Sequence, residues 1–430
     1  MTPSTSTQAM LVAAVLTLAA VPAADADEVK VSNAPAPSRS SYESVPAVAG
    51  PSSVGAELKE DERARAAGPR FELLDRRLEP YFDFKGRINE RYGLAFGFDY
   101  TALYQVATGG PGEDQAAGGI ARAFGSWSLI GRESGNTGSI VFKGENRHRL
   151  GTDVAPQSLG FEVGYVGLTA QPFNDFDWAL TNLYWQQQLL GGRVALLAGQ
   201  VDATDYVDVH ALTNPWTQFS NLAFGISPTI SAPNQGFGAM AGVIPAEHFY
   251  AIIGFADANG DPTDPGEGFD TFFDDAEYFK HLELGWTSSY DRRYLDNVHV
   301  TAWHVDERHD AGTPSDWGVA ASATWFFADV WMPFLRGGYS DEGTALMEGS
   351  VSAGLARYFS QNRDLMALGL GWGRPPTQGL DDQYAVELFY RWQLSANVAI
   401  TPDVQLLVNP ALAPSEDVVG VFGIRARLAL

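Results

Sequence analysis

From Tyr92 to Val106 the chain alternates without a break. Its even positions are Tyr92, Leu94, Phe96, Phe98, Tyr100, Ala102, Tyr104 and Val106, and its odd positions are Gly93, Ala95, Gly97, Asp99, Thr101, Leu103 and Gln105. A helix repeats every 3.6 residues and cannot sort side chains in this way, whereas a strand places every second one on the same face. The stretch is therefore a two-sided strand. It is longer than the roughly ten residues with which a tilted strand crosses a bilayer.

The pattern recurs. Gln383–Ala396 sets Tyr384, Val386, Leu388, Tyr390, Trp392 and Leu394 against Glu387, Arg391 and Gln393. Ala399–Asn409 alternates in the same way, and the last stretch sets Phe422, Ile424, Ala426, Leu428 and Leu430 against Arg425 and Arg427. Leu282, Leu284 and Trp286 oppose His281, Glu283 and Thr287. Further candidate strands are Gly160–Ala170, Leu183–Leu190, Arg193–Asp202, Gly236–Ile244, Phe249–Asp257, Trp317–Phe327 and Asp364–Arg374. With about seventeen candidates, and an even strand number in bacterial barrels, the expectation is an all-β transmembrane antiparallel barrel of roughly sixteen strands, eighteen being the alternative. Short connections, such as 190–193 and 244–247, contrast with the long ones at 204–235 and 258–277, which fits a barrel with unlike rims.

Composition supports export and folding. Met10–Val21 is an apolar run followed by Pro22 and small residues, so residues 1–26 read as a secretory signal. Residues 27–68 are rich in Ala, Pro, Ser and charge, and read as a flexible linker ending in a helical stub. Residues 69–91 read as a short helical lead-in, and the barrel as 92–430. No stretch approaches the ~18 consecutive apolar residues of a membrane-spanning helix. The 12% aromatic content argues against disorder. A net charge of -24 argues against nucleic acid as a partner, and the absence of Cys excludes disulfides, thiolate nucleophiles and Cys-ligated metal.

Four stretches resemble the carbohydrate-selective porins of Gram-negative outer membranes, the OprB-like family. They are INERYGLAFGFDYTALY (Ile88–Tyr104), NLYWQQQLLGGRVALLAGQVDATDYVD (Asn182–Asp208), NLAFGISPTISAPNQGFGAMAGV (Asn221–Val243) and YAVELFYRWQLSANVAITPDVQLLVNP (Tyr384–Pro410). The resemblance covers most of Tyr81–Leu430. It implies an outer-membrane barrel that passes mono- or oligosaccharides by diffusion, with no chemical step and no cofactor. The implied partners are sugars, outer-membrane lipid and the barrel-assembly machinery, with a homotrimer left open. The competing readings are a general porin for small hydrophilic solutes and a soluble secreted glycan-binding β-protein.

A sugar channel needs hydrogen-bonding groups and aromatic faces. Alternation gives Glu283, Glu387, Arg391, Gln393, Arg425 and Arg427 as lumen-lining candidates, with Trp303 on the face of His299 and Thr301. Trp286, Tyr390 and Trp392 fall on the lipid face. Asp202, Asp205, Tyr206 and Trp216 lie in a long connection that is a candidate constriction loop. His299, His304 and His309 do not converge as a metal site, because odd spacing in a strand reverses the face. The acidic stretch Asp257–Asp270 has Pro262 where an EF-hand calcium loop needs Gly, so no metal site is assigned and calcium binding by this loop is left open.

Overall fold

The structure is a computed structural model, and it describes residues 48–66, 72–289, 292–328, 330–359 and 364–430. The expected signal at 1–26 and the start of the linker lie outside the described residues. Two helices come first, α1 (Val54–Ala66) and α2 (Glu72–Tyr92). The strands then run β1 Leu94–Ala107, β2 Gln115–Ile130, β3 Gly138–Arg149, β4 Asp177–Leu189, β5 Val194–Val201 and β6 Gly236–Ala246. They continue as β7 Phe249–Asp257, β8 Tyr278–Thr287, β9 Asn297–Val305, β10 Asp316–Thr324 and β11 Trp331–Ser340. The last five are β12 Gly349–Phe359, β13 Asp364–Arg374, β14 Gln383–Gln393, β15 Val398–Val408 and β16 Val418–Ala429.

Each strand pairs antiparallel with its sequence neighbours, and β1 closes on β16, so the sheet is a closed sixteen-stranded barrel. The seam keeps the two faces separate. Tyr100 opposes Leu428 and Tyr104 opposes Ile424 on the outside, while Thr101 opposes Arg427 and Leu103 opposes Arg425 on the inside. A one-residue slip would exchange the faces, turning arginines toward lipid, so this register is strongly specified. The outer surface carries Ile253, Leu282, Leu284, Val300, Leu335 and Ile424 in its middle, all exposed in the isolated chain. Trp127, Trp286, Trp325 and Trp392 ring one rim, and Trp178, Trp317 and Tyr339 the other, as in the aromatic girdles of membrane barrels.

The rims differ as the sequence indicates. Connections at 190–193, 247–248 and 394–397 are tight and lie on the rim that also bears the barrel's chain ends, called the terminal rim here. The turn Leu190-Gly191-Gly192 takes three successive positive φ values (55°, 66° and 86°), which two glycines make sterically accessible. Connections 150–176, 202–235 and 258–277 all lie on the opposite rim.

Three sequence expectations change. Gly160–Ala170 is not a strand: it begins inside a short helical turn at Pro156–Glu162 and then runs as an irregular, mostly buried segment. Gly160, Gly164 and Gly167 permit that path, the latter two with φ of 85° and 157°. Tyr92 ends α2 instead of opening β1. Between them Gly93 turns at φ 73°, where a Cβ would lie 2.5 Å from the Ser128 carbonyl oxygen. The helical stub expected at the end of the linker is α1, but it is docked in the lumen instead of hanging free, with Val48 to Val54 buried. A shortage of large apolar residues suggested a spacer, but α1 is held by the charges of the lumen instead.

Candidate functional site

The lumen is furnished from three directions. The barrel wall supplies inward rows of polar residues, the opposite rim sends in the connections 150–176 and 202–235, and the N-terminal side sends in α1. Each anchors to the wall through a small set of side chains.

Asp208 is the hub of connection 202–235. Its backbone N–H donates to Glu283 Oε2 at 2.8 Å. Its carboxylate receives the Ser227 N–H at 2.8 Å, faces His299 Nε2 at 3.0 Å and pairs with Arg336. A residue at φ 54° is uncommon outside glycine, and Asp tolerates it better than most. Farther along, Glu387 accepts the N–H groups of Ser220 (2.7 Å) and Asn221 (2.9 Å). Arg425 donates to the Pro215 carbonyl at 2.7 Å and to Ser220 Oγ at 3.1 Å. Connection 150–176 is tied down by Gln105 and Gln405, which donate to the Thr169 carbonyl, and by Gln383, which exchanges two hydrogen bonds with Val166. These contacts satisfy backbone groups that would otherwise be buried unpaired.

Beneath the polar anchors lies an apolar cluster. Phe219 and Phe224 of the inward loop pack on Phe334 of β11 and Phe389 of β14, with ring centroids 4.9 to 5.7 Å apart for the Phe219 contacts. Leu159, Val163, Leu212, Leu365 and Leu407 extend it. One side of the barrel is thereby filled with close-packed hydrocarbon.

The remaining space is a cavity of about 590 Å³ against the inward row of β3. Lys143, Glu145 and Arg147 line it, together with Asp202, Asp205 and Trp216 of the inward loop, and Ser52 lies beside them. Its charges are paired: Lys143 Nζ lies 3.0 Å from Asp205 Oδ2, and Arg147 bonds Glu145 at 2.6 Å. Asp202 accepts the Thr204 N–H at 3.0 Å and the Gln235 amide at 2.7 Å. Burial pushes the Asp205 carboxyl up to about 6, with Lys143 pulling the other way. The Trp216 ring lies 3.7 Å under the Arg122 guanidinium, a cation–π contact that fixes its plane at the cavity edge.

Arg122 also joins the wall to α1. It bonds Asp99 at 2.8 Å and reaches Glu57 Oε1 at 2.8 Å. Arg427 makes the matching link, to Asp99 at 2.8 Å and to Asp61 at 3.0 Å. The Asn214 amide donates to the Pro51 carbonyl at 3.0 Å, so the inward loop touches the segment before α1 as well. Burial pushes the Glu57 carboxyl up to about 7, with Arg122 and Lys143 opposing it.

The sequence-derived candidates distribute as follows. Glu283, Trp303, Glu387, Arg391, Gln393, Arg425 and Arg427 all project inward. Glu283, Glu387 and Arg425 grip the inward loop, and Arg427 grips α1, instead of bordering the cavity. Trp303 stacks on Phe279 at 6.2 Å. Arg391 and Gln393 border a small void of about 20 Å³ beside Glu60 and Asp61 of α1. Asp202, Asp205 and Trp216 border the main cavity, while Tyr206 turns away to hydrogen-bond Tyr184. Trp286, Tyr390 and Trp392 project outward. His299 points in and His304 out, and no group of three metal-ligating side chains occurs among the described residues. Sequence reasoning missed Lys143, Glu145 and Arg147. Their signal was a charge at every second residue of KGENRHR, with too few apolar residues between to mark a strand.

A sequence model described as "Carbohydrate-selective porin, OprB family" matches residues 141–321 and 289–430. The chain belongs to this family. A carbohydrate-selective porin is a channel and not an enzyme. Among solved structures, the high-pH structure of Pseudomonas putida OprB is similar at 13% identity with a TM-score of 0.64, covering 81% of this chain and 97% of that one. The low-pH structure of the same protein covers 81% and 96% at 9% identity and a TM-score of 0.49. A mutant of the Rh. blastica porin covers 78% and 100% at 12% identity, also with a TM-score of 0.49. At such identities the high-pH structure supports the fold alone. No curated protein matches the chain.

Proposed function

We propose that sugars cross this porin along the cavity beside β3, with Lys143, Glu145, Arg147, Asp202 and Asp205 as hydroxyl-binding groups and Trp216 as part of its apolar edge. The observation that supports this reading is how these charges are engaged: Lys143 pairs with Asp205, Arg147 with Glu145, and Asp202 accepts hydrogen bonds from Thr204 and Gln235. Acid and base alternate within hydrogen-bonding reach, so a polyhydroxylated ring meets donors and acceptors together and little net field. A solute bearing charge would find each partner already engaged.

The barrel sits in the outer membrane of a Gram-negative bacterium, with the tight turns inside the cell envelope and the connections 150–176, 202–235 and 258–277 toward the exterior. The apolar band, the girdles and the family support the membrane placement, and the contrast between tight turns and long connections supports the orientation. Folding then requires the barrel-assembly machinery.

Reconstitution in planar bilayers tests the conduit. Mono- and oligosaccharides titrated against ion current should block it at millimolar concentrations or below, and Trp216→Ala should weaken the block by opening the cavity edge and releasing Arg122. A conductance indifferent to every sugar would leave a general diffusion porin, and absence of conductance would overturn the assignment. Cross-linking in native membranes reads the subunit number.

A further inference from the structure

Helix α2 lies against the outside of the barrel. The Trp127 indole N–H donates to the Tyr92 carbonyl at 3.1 Å, and Arg132 donates to the carbonyls of Asn89 and Glu90, both at 2.8 Å. Lys85 Nζ lies 5.3 Å from the centre of the Phe96 ring and donates to the Leu430 carbonyl at 2.9 Å. Phe96 and Trp127 belong to the outward rows, opposite in parity to Asp99 and Arg122, so the helix is seated on the lipid-facing surface at the terminal rim.

The side chains of α2 are sorted. Arg77, Tyr81, Phe84, Ile88 and Arg91 follow the alternating four- and three-residue spacing of a single helical stripe. Glu79, Asp83 and Glu90 fall on the opposite stripe, two positions on from Arg77, Tyr81 and Ile88. Phe84 is 47% exposed and Tyr92 51%, and both Arg77 and Arg91 are exposed. A helix bathed only in water gains nothing from an open Phe84 flanked by arginines, with its acids gathered on the far side. A headgroup layer offers hydrocarbon to the first and phosphate to the second.

We propose that α2 lies in the headgroup plane of the leaflet at the terminal rim, binding anionic phospholipid through Arg77 and Arg91 with Phe84 as its apolar anchor. The inference rests on the reading of the barrel as membrane-spanning. Two observations favour lipid over a protein partner: the stripe's charge is complementary to phosphate, and the helix is continuous with the lipid-facing rows of Phe96 and Trp127. The arrangement also fixes the depth of the barrel, because α2 is bonded to both the first hairpin and the last residue.

The chain contains no Cys, so single cysteines can carry a nitroxide in the full-length protein. Phe84→Cys, Glu79→Cys and Leu284→Cys would be labelled and reconstituted in phosphatidylcholine bilayers with and without phosphatidylglycerol. Collision with oxygen reports hydrocarbon, and collision with a water-soluble nickel complex reports solvent. The label at 84 should favour oxygen, more strongly with phosphatidylglycerol present, and the label at 79 should favour nickel. Adding Arg77→Glu and Arg91→Glu to Phe84→Cys should abolish the phosphatidylglycerol effect. Equal nickel exposure at 84 and 79, with the label at 284 still in hydrocarbon, overturns the proposal. A label at 84 shielded from both reagents marks a protein contact and overturns it too. Nickel exposure at 284 refutes the membrane-spanning reading itself, because Leu284 lies mid-strand on the outer face.

Discussion

Asp208 gathers several of the loop's anchors on one side chain. Replacing it with Ala removes the carboxylate shared by Arg336, His299 and the Ser227 N–H, and leaves Arg336 buried with one acceptor fewer. Breaking a buried pair in this way costs about 3–5 kcal/mol. Asp208→Ala should therefore loosen connection 202–235, giving single-channel currents that are larger and noisier than wild type; a steady trace of unchanged amplitude would show that the loop is held elsewhere. Asp205 makes a pH prediction. Its carboxyl is raised to about 6, so acidification through that value neutralises it and leaves Lys143 as an uncompensated cation beside the duct. Cation preference, read from reversal potentials, should fall between pH 7.5 and 5, and Asp205→Asn should lack this response. At this scale the sequence was informative about direction only. Parity told that Glu283, Glu387, Arg425 and Arg427 face inward. It could not tell that they meet Asp208, Ser220, Pro215 and Asp61, because those partners arrive from segments with no periodicity to read.

Among the elements, α1 carries the strongest expectation. Its carboxylates reach Arg122 and Arg427 across the lumen, so it narrows the barrel on the terminal side. Deleting residues 48–66 should raise single-channel conductance severalfold. Glu57 adds a direction. Docked, its carboxyl is raised from 4.5 to about 7, so docking is favoured when it is protonated; that contribution is complete below about 4.5 and lost as pH rises through about 7. Conductance should then increase from pH 5 to pH 8, and Glu57→Gln should flatten the increase. A conductance that falls over this range would mean that the Arg122 pairing outweighs burial. The helix of α1 was legible as a stub at the end of the linker, but its seat in the lumen was not, because it is made by ion pairs with distant strands. β1 was legible for the opposite reason, since its Tyr and Phe alternate with small or polar residues. β2 and β3 were not among the named candidates: Ala116 to Gly119 and Lys143 to Arg149 lack the apolar contrast that a strand normally shows.

Over the whole molecule, the charge of -24 is unevenly placed. Asp261, Asp264, Glu267, Asp270, Asp274 and Asp275 crowd one connection of the opposite rim, and Asp341, Glu342, Asp381, Asp382, Glu416 and Asp417 occupy others. A negative mouth concentrates cations, and salt screens it, with a Debye length near 30 Å at about 0.01 M and near 3 Å at about 1 M. The channel should be clearly cation-selective in 10 mM KCl and much less so in 1 M KCl, while block by neutral sugars should change little. Selectivity that survives 1 M salt would place its source in the duct instead of the rim. The barrel itself was read from strand length, connection length and the even-number rule together, none of which depends on a particular side chain. What passes through it depends on side chains that only the folded connections bring together.

The half-filled lumen separates two quantities that a simple tube would couple. Strand number fixes the girth of the casing, but Phe219, Phe224, Phe334 and Phe389 decide how much of that girth is occupied. The bore is thus the dimension of an insert. Lengthening or trimming connection 202–235 resizes the aperture while every inter-strand register stays as it is, so relatives sharing this casing are free to differ widely in the largest solute they admit.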